Sequence, residues 1–501
     1  MSHSQKVAHQ AGWYAAAYTA TQFVTVLAAI LTRRFLGPVQ VGVWAIIQVI
    51  LSYASYTTLG LANAIPREIP FYVGKGDMDK AARIKQTSFE FVMAMAFVFA
   101  AGLVAYALIE RSRISGELFW GLLFAGGLVI LQQLNNITIT LLRCFMRFEL
   151  AGKQMFLSAI VNAVLVAVLS YRFRLFGFMV AMGLSFLFNV GYIFYFEKVL
   201  FRFKLQFKFD FQLIRSLMAY GFPLMLLALC ETFIQTFDRI IISKYLGLEL
   251  LGIYSIATMV NGFVFSFPNS VGVVLLPNVS EKFGRNEDRR DLKGYLKESD
   301  YVFCALMPIL IGMAWFLVPP VIQWLLPKFS QGIPSLKYLV LSSFFMAVSQ
   351  AYTNFVVVIR KQMRLFVVSA ITILLAVSLN FWAIRWGGRI EDIARVQTII
   401  FGINFSLIFF LSHFYLEMSA SVFVQFGKIL LKFGWMLFLL ICISKYVRPV
   451  NPMIRGIAQT AILLVLYIPF LLRLEKKYQL VSVLMNRLRR AGPSPAPGTN
   501  S

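Results

Sequence analysis

Apolar residues in this chain gather in continuous runs of roughly 18–25 positions instead of alternating with polar ones. The strands of a membrane barrel would alternate inward and outward. The pattern therefore predicts helices, each long enough to cross about 30 Å of hydrocarbon. About fourteen spans are expected. They lie near 12–32, 41–63, 87–108, 118–142, 153–171, 175–197, 217–242, 250–276, 300–324, 334–358, 365–385, 394–416, 424–444 and 453–473. Short polar or Gly/Pro-bearing turns separate most of them. The expected fold class is an all-α polytopic membrane protein.

One stretch of sequence recurs. ILTRRFLGPVQVGVW (Ile30–Trp44) and IIISKYLGLELLGIY (Ile240–Tyr254) place Gly37 and Gly42 on Gly247 and Gly252, about 210 residues apart. RCFMR (Arg143–Arg147) and RKQMR (Arg360–Arg364) agree at about 217. Two related halves embedded in lipid are a transporter architecture, with the site between the halves. The four glycines suit tight turns and close helix approach. Pro66, Pro223, Pro268 and Pro277 are expected to interrupt or end helices.

Composition agrees: 59% of the 501 residues are hydrophobic and 14% are charged, against about 25% charged in a soluble domain. The start, MSHSQKVAHQ, is polar, and the first apolar run is too long for a signal peptide's core, so it reads as an uncleaved span. The four cysteines are scattered without a CxxC, and the three histidines form no ligand set. No Walker A sequence, metal cluster or nucleophile triad appears, so no enzyme activity and no resident cofactor are expected.

The net charge of +25 is spread over many short loops, which argues against nucleic acid as a partner. With both termini in the cytoplasm, inside segments hold about 30 Lys and Arg and outside segments about 16, as the positive-inside rule requires. EKFGRNEDRRDLKGYLK (Glu281–Lys297) is expected to lie along the cytoplasmic surface as helix. FRFKLQFKFDFQ (Phe201–Gln212) is expected at the interface, Phe in lipid and Lys at the headgroups. The last stretch, AGPSPAPGTNS, cannot bury a core.

LGPVQVGVW, then LGLANAIPREIPFYVGKGD at Leu59–Asp77, resembles the Wzx-type polysaccharide-biosynthesis flippases of the multidrug/oligosaccharidyl-lipid/polysaccharide exporter superfamily. The second half carries the matching YGFPL (Tyr220–Leu224), FDRIIISKYLG, GIYSIA and LLPNVSEKFG. The resemblance covers roughly residues 10–420. It implies two six-helix lobes in a V, with two extra C-terminal helices. The expected division is 1–200 and 217–418 for the lobes, 201–216 for a basic linker, 419–475 for the added helices and 476–501 for a cytoplasmic tail. It also implies a bacterial inner-membrane flippase that moves undecaprenyl-pyrophosphate-linked oligosaccharide from the cytoplasmic to the periplasmic leaflet. A polysaccharide polymerase and chain-length or export proteins are candidate partners. The rivals are a cation-coupled multidrug antiporter of the same superfamily, a peptidoglycan-precursor flippase, which fits the quoted motifs less well, and a non-transporting scaffold of a glycan-assembly complex.

Such a substrate needs cover for a pyrophosphate and sugars, because an uncovered charge at the bilayer centre costs several kcal/mol or more. Span 4 offers Gln132, Asn136, Thr140, Arg143 and Arg147 at helical spacing, and span 10 repeats the theme with Gln350, Asn354, Arg360 and Arg364. Arginine binds phosphate oxygens with a planar fork. Arg143, Arg147, Arg360 and Arg364 are therefore candidates for pyrophosphate, and Gln132, Asn136, Gln350 and Asn354 for the sugar path. The alternative is that the arginines are positive-inside anchors and the amides helix–helix glue. In span 7, Glu231, Gln235 and Asp238 share one face and are candidates for coupling to H⁺ or Na⁺, or for gating. Asp238 lies where the family commonly has an acid, so a structural role competes there; Glu231 is the better coupling candidate. Glu90 is weaker, and Lys432 is expected to snorkel. Arg33, Arg34 and Arg385 sit at periplasmic ends, as receivers of pyrophosphate or as helix caps.

Overall fold

A computed structural model describes the backbone of residues 3–145, 147–197, 210–286, 290–359, 361–416, 420–447 and 449–478. Side chains are described over the same stretches except 3–20, 148, 269–291, 474, 477 and 478. The helices are α1 (His3–Ala54), α2 (Leu61–Gly74), α3 (Met78–Ile109), α4 (Gly116–Cys144), α5 (Phe148–Phe196), α6 (Phe211–Tyr245) and α7 (Leu248–Asn286). They continue as α8 (Arg290–Leu325), α9 (Ile333–Val358), α10 (Gln362–Trp386), α11 (Ile390–Leu416), α12 (Ala420–Tyr446) and α13 (Pro452–Tyr478). Polar side chains start several of them by accepting otherwise unpaired amide hydrogens: Asp77 from Lys80 N (3.0 Å), Ser115 from Leu118 N (3.3 Å), Asp210 from Leu213 N (3.0 Å) and Asn451 from Met453 N (2.9 Å).

Twelve helical segments among the described residues are long and apolar enough to cross a membrane. Two of them double back. In α1, Gly37 leaves helical geometry (φ 73°, ψ 175°) just before Pro38. Thr25 and Gln48, on either side of that break, line one cavity. A straight helix would hold them about 35 Å apart. In α5 the break is at Arg174 (φ 49°, ψ −128°), and Asn162 Nδ2 donates to Ser185 Oγ at 3.0 Å across it. Counting each limb of these hairpins gives the fourteen crossings that the apolar runs predict.

Outside the core, large apolar side chains face outward, including Trp120 (65% exposed) and Leu374 (69%). In water such a surface would aggregate; against lipid tails it is the expected one. Exposed aromatics also concentrate at helix ends: Tyr106, Trp120, Tyr171, Trp324, Trp386 and Tyr446. With alternating crossings these six fall on one side of the membrane and exposed Tyr195, near the end of α5, on the other, so both interfaces carry aromatics.

Some local expectations need correction. The second crossing stops at Ala54; a 3-10 turn (Ser55–Thr58), Leu59 and Gly60 then lead into the separate short helix α2. Pro66 lies inside α2 and Pro223 inside α6, so neither ends its helix. The Phe201–Phe209 part of the interfacial segment and the tail beyond Tyr478 lie outside the described residues, as do the side chains of Pro277 and of 281–291. The backbone across Glu281–Lys297 is helical on both sides of 287–289, in α7 and α8.

The duplicated motif builds the seam between the halves. α1 packs on α7 and α6, and α2 packs on α6. A Cβ built on Gly42 would collide with the Leu248 carbonyl oxygen, and one on Gly252 with the Pro38 carbonyl oxygen. These two contacts exchange under the 210-residue offset, so the motif meets its own copy about a local twofold. A second crossing joins Gly60 and Gly221, where a Cβ on either would strike the other's backbone. Three hydroxyl contacts cross the seam between them: Tyr53 OH with Thr236 Oγ1 (3.1 Å), and Tyr56 OH with Thr232 Oγ1 (2.5 Å) and the Ala228 carbonyl (3.0 Å).

The last two helices rest on the second half. Gly312 in α8 faces Leu463 of α13, Gly456 in α13 meets the Phe316 carbonyl, and Trp315 Nε1 donates to Ser444 Oγ at 3.2 Å.

The seam predicts a directional effect. Gly42→Ala should lower stability by about 1–3 kcal/mol and lengthen the spin-label distance between Val39→Cys and Glu249→Cys in a background without native cysteines. Gly127→Ala, whose added Cβ meets nothing within 4 Å, should change neither. Thermal unfolding in detergent and pulsed dipolar spectroscopy read the two effects.

Candidate functional site

Two polar cavities lie along the seam and within the second half. The first, about 260 Å³, is lined by α6, α7, α9 and α11. Glu231 and Gln235 reach it from α6, Gln350, Thr353 and Asn354 from α9, and Asn404 from α11. The helical period explains the grouping. Residues 231 and 235 stand one turn apart on α6, as do 350 and 354 on α9. Four residues singled out in the sequence thus meet in one place. Among the described residues, Glu231 is the sole carboxylate of this lining, and no arginine or lysine joins it.

The second cavity, about 330 Å³, lies where both limbs of α1 and of α5 meet α6 and α7. Arg33 and Arg239 both line it, together with Thr25, Gln48, Asn162 and Thr258, and no acid does. Arg33 crosses the seam: one terminal nitrogen donates to the Ser255 carbonyl (3.1 Å) and Oγ (3.3 Å), while the other donates to the Ala29 carbonyl (3.2 Å). The Nε atoms of Arg33 and Arg239 are both buried without a hydrogen-bond partner. The two guanidinium groups repel each other, the Asp238 carboxylate beside Arg239 offsets part of their charge, and an anion placed between them would relieve the remainder. Trp44 and Tyr254, which correspond under the repeat, both line it.

Asp238 belongs to neither cavity. It is buried, accepts from Tyr254 OH at 2.6 Å through Oδ2, and accepts from the Arg239 backbone N–H at 2.8 Å through Oδ1. It ties α6 to α7 beneath the seam. Its face matches that of Glu231 by periodicity, but α7 covers the helix at this level. The shared face does not become a shared cavity.

The first-half stripe is less convergent. α4 ends at Cys144, so Arg147 is off that helix, at the start of α5. Its Nε sits 3.0 Å from Glu197 Oε1. Arg143 and Asn136 are exposed, and Gln132 has an Oε1 without a hydrogen-bond partner among the described residues. Neither Gln132 nor Asn136 lines the cavity that holds Gln350 and Asn354. Arg364 is exposed on α10, one helix beyond α9, and Arg360 lies outside the described residues. Glu90 is buried and accepts from Gln86 Nε2 at 2.6 Å. Arg34 is exposed, and Arg385 lies in the last turn of α10.

Sequence reasoning missed Arg239, Asn162 and Gln48 as cavity residues, and missed Asp300. Asp300 Oδ2 accepts from Tyr352 OH (2.7 Å) and Gln425 Nε2 (2.8 Å). An acid at the mouth of an apolar run, SDYVF, was the available signal for Asp300. Arg239 sits beside an acid in FDR, and the sequence gives no sign that it meets Arg33.

The placements separate structure from chemistry. Asp238→Ala and Tyr254→Phe should each lower stability by about 1–3 kcal/mol, because each strands a buried polar partner. Glu231→Gln, in a cavity with no cation on its wall, should stay within about 0.5 kcal/mol of wild type. Thermal unfolding of the purified variants decides.

With this geometry in hand, comparison with known proteins is informative. The family described as polysaccharide biosynthesis protein matches residues 30–328. An uncharacterized membrane protein of Methanocaldococcus jannaschii is 23% identical over 368 residues, covering 69% of this chain and 72% of the relative. Among solved structures, the lipid II flippase MurJ in an inward closed conformation superposes with a TM-score of 0.68 at 15% identity, covering 92% of this chain and 99% of MurJ. A multidrug resistance MATE family transporter of the MOP superfamily, in an inward-facing conformation, gives 0.63 at 16% identity, over 80% of this chain and 96% of that one. The fold is thus that of multi-pass membrane transporters. By the match across more than half its length, the chain belongs to the polysaccharide biosynthesis protein family.

Proposed function

We propose that this protein is a flippase that carries an undecaprenyl-pyrophosphate-linked oligosaccharide from the cytoplasmic to the periplasmic leaflet of the bacterial inner membrane, by alternating access of its two lobes. The observation that carries the reading is the acid-free cavity at the seam, where Arg33 and Arg239 converge from opposite halves. An anion held there would bridge the lobes, so its binding energy differs between states in which the lobes are joined or parted on that side. A ligand shifts such an equilibrium only through that difference. The cavity of Glu231, Gln235, Gln350 and Asn354 supplies amide and carboxylate partners for sugar hydroxyls.

Capture begins at the cytoplasmic ends, with Arg143, Arg360 and Arg364 as the first phosphate contacts. Arg147 joins only by leaving Glu197. Glu231 is the coupling group, taking H⁺ or Na⁺. A cationic drug would favour acids on the wall; Glu231 alone meets that description, against two arginines at the seam. Both termini lie in the cytoplasm, and a polymerase or export partner receives the product.

Deleting the gene should make lipid-linked oligosaccharide accumulate and surface polysaccharide disappear. Wild type should restore both. Arg33→Gln/Arg239→Gln should fail to do so at normal expression, with a loss of at least about 100-fold if each guanidinium contributes as a charge-assisted contact. An unchanged lipid pool with altered sensitivity to cationic drugs would instead establish an antiporter. Mass spectrometry of extracted lipids reads the pool.

A further inference from the structure

A third cavity, about 340 Å³, lies between α8, α11 and α12. Lys293 and Lys297 enter it from α8, and Lys428 and Lys432 from α12, each pair one helical turn apart. Asp300 is the only carboxylate on its wall. Among the described residues none of the four lysines lies within ion-pair distance of an acid. Asp300 Oδ2 is already taken by Tyr352 and Gln425, and its Oδ1 has no hydrogen-bond partner. That one carboxylate offsets at most one of four positive charges. Among the described residues the wall keeps a positive surplus, which an anion from outside would neutralise.

This cavity is separate from the proposed transport route. α11 presents Asn404 to the polar cavity of Glu231 and His413 to the lysine cavity. Nine residues at 100° each put those two on opposite faces of the helix. Buried Tyr352 and the aromatic cluster of Phe405, Phe409, Phe426 and Phe433 fill the space between.

The position selects the anion. Lys293 and Lys297 are in the first two turns of α8, His413 is in the last turn of α11, and Ser421 begins α12, so the mouth lies at one membrane surface. Lys432 is about 18 Å along α12 from Ala420, and its ammonium stays over the Tyr301 ring at 5.7 Å. Beside the mouth, α12 turns Phe423, Val424 and Leu431 outward as lipid-facing surface. A phosphate on an acyl chain satisfies both surfaces: its headgroup meets the lysines and its tail lies along α12. Basic pockets between membrane helices hold anionic lipid headgroups in this way.

We propose that the cavity between α8, α11 and α12 is a resident site for the phosphate headgroup of an anionic membrane lipid, clamping α12 to the second lobe. The shared chemistry is a phosphate anion, and free inorganic phosphate is the competing source. The site does not depend on the transport reading, because its test follows lipid and not flux.

The test uses the full chain, purified and exposed in turn to phosphatidylglycerol, phosphatidylcholine and inorganic phosphate, with native mass spectrometry and thermal unfolding as readouts. Phosphatidylglycerol should be retained and raise the unfolding temperature. Lys428→Gln/Lys432→Gln should weaken that retention by about thirtyfold, while Lys428→Arg/Lys432→Arg restores it. Lys75→Gln/Lys80→Gln, which removes the same charge at a pair away from the cavity, should retain the lipid as wild type does. Equal retention of the two lipids, or equal loss in both Gln pairs, would overturn the proposal. Stabilisation by inorganic phosphate matching that by phosphatidylglycerol would overturn the lipid source. If the Gln variant aggregates, the wild-type contrast between the two lipids and phosphate still decides.

Discussion

Two glycine pairs let the backbones of the two halves touch, and much of the architecture follows from that contact. Helices in lipid gain nothing from the hydrophobic effect on associating, because lipid tails are as apolar as leucine. Close backbone approach supplies the dispersion contacts instead. Gly42 against the Leu248 carbonyl and Gly252 against that of Pro38 place α1 and α7 at such a distance. Gly60 and Gly221 do the same for the start of α2 against α6. Contacts this close are either made or broken. Joined pairs at both ends hold the two halves together at two separate places along the seam.

Polar groups are concentrated where the seam leaves space. Buried arginines in hydrocarbon are costly, and they persist where they pair or where water and ligand reach them. Arg33 uses the Ser255 carbonyl and hydroxyl of the other half for part of its hydrogen bonding and leaves its Nε open. Arg239, next in sequence to Asp238, feels the charge of that acid, but the hydrogen bonds the carboxylate accepts come from Tyr254 and the Arg239 backbone N–H, so the Arg239 Nε stays open. The same three residues thus lock α6 to α7 and keep a guanidinium available at the cavity. Stability and candidate chemistry are joined in one tripeptide-sized region.

The architecture was legible because its signals are periodic or repeated. Apolar runs marked the crossings, and LGPVQVGVW with its copy marked the seam. The two doubled-back helices show why a span count from runs can exceed a helix count from geometry: a single non-helical residue, Gly37 or Arg174, suffices to reverse the chain. Helical spacing also grouped Glu231 with Gln235 and Gln350 with Asn354. It failed where a neighbouring helix decides the outcome. Asp238 has the right phase, yet α7 covers it. Arg147 has the right spacing, yet α4 has already ended. Arg33 and Arg239 have no common period, since they meet only once the two halves dock.

Duplication fixed the backbone of the seam but left its side chains free to diverge. Pro38 and Leu248 make equivalent contacts through carbonyl oxygens, which every residue has. The side chains one turn away no longer match: Tyr254 binds Asp238, while its counterpart Trp44 meets Phe178 edge to face at 4.7 Å, and Ala28 stands where Asp238 would be. The second half thus ties α6 to α7 with a buried polar contact, while in the first half the equivalent aromatic packs on α5 instead. The Glu231 cavity likewise draws its whole lining from the second half, and α12 and α13 brace that half alone. A symmetric seam between unequal lobes gives a transporter two similar latches with different contents behind them.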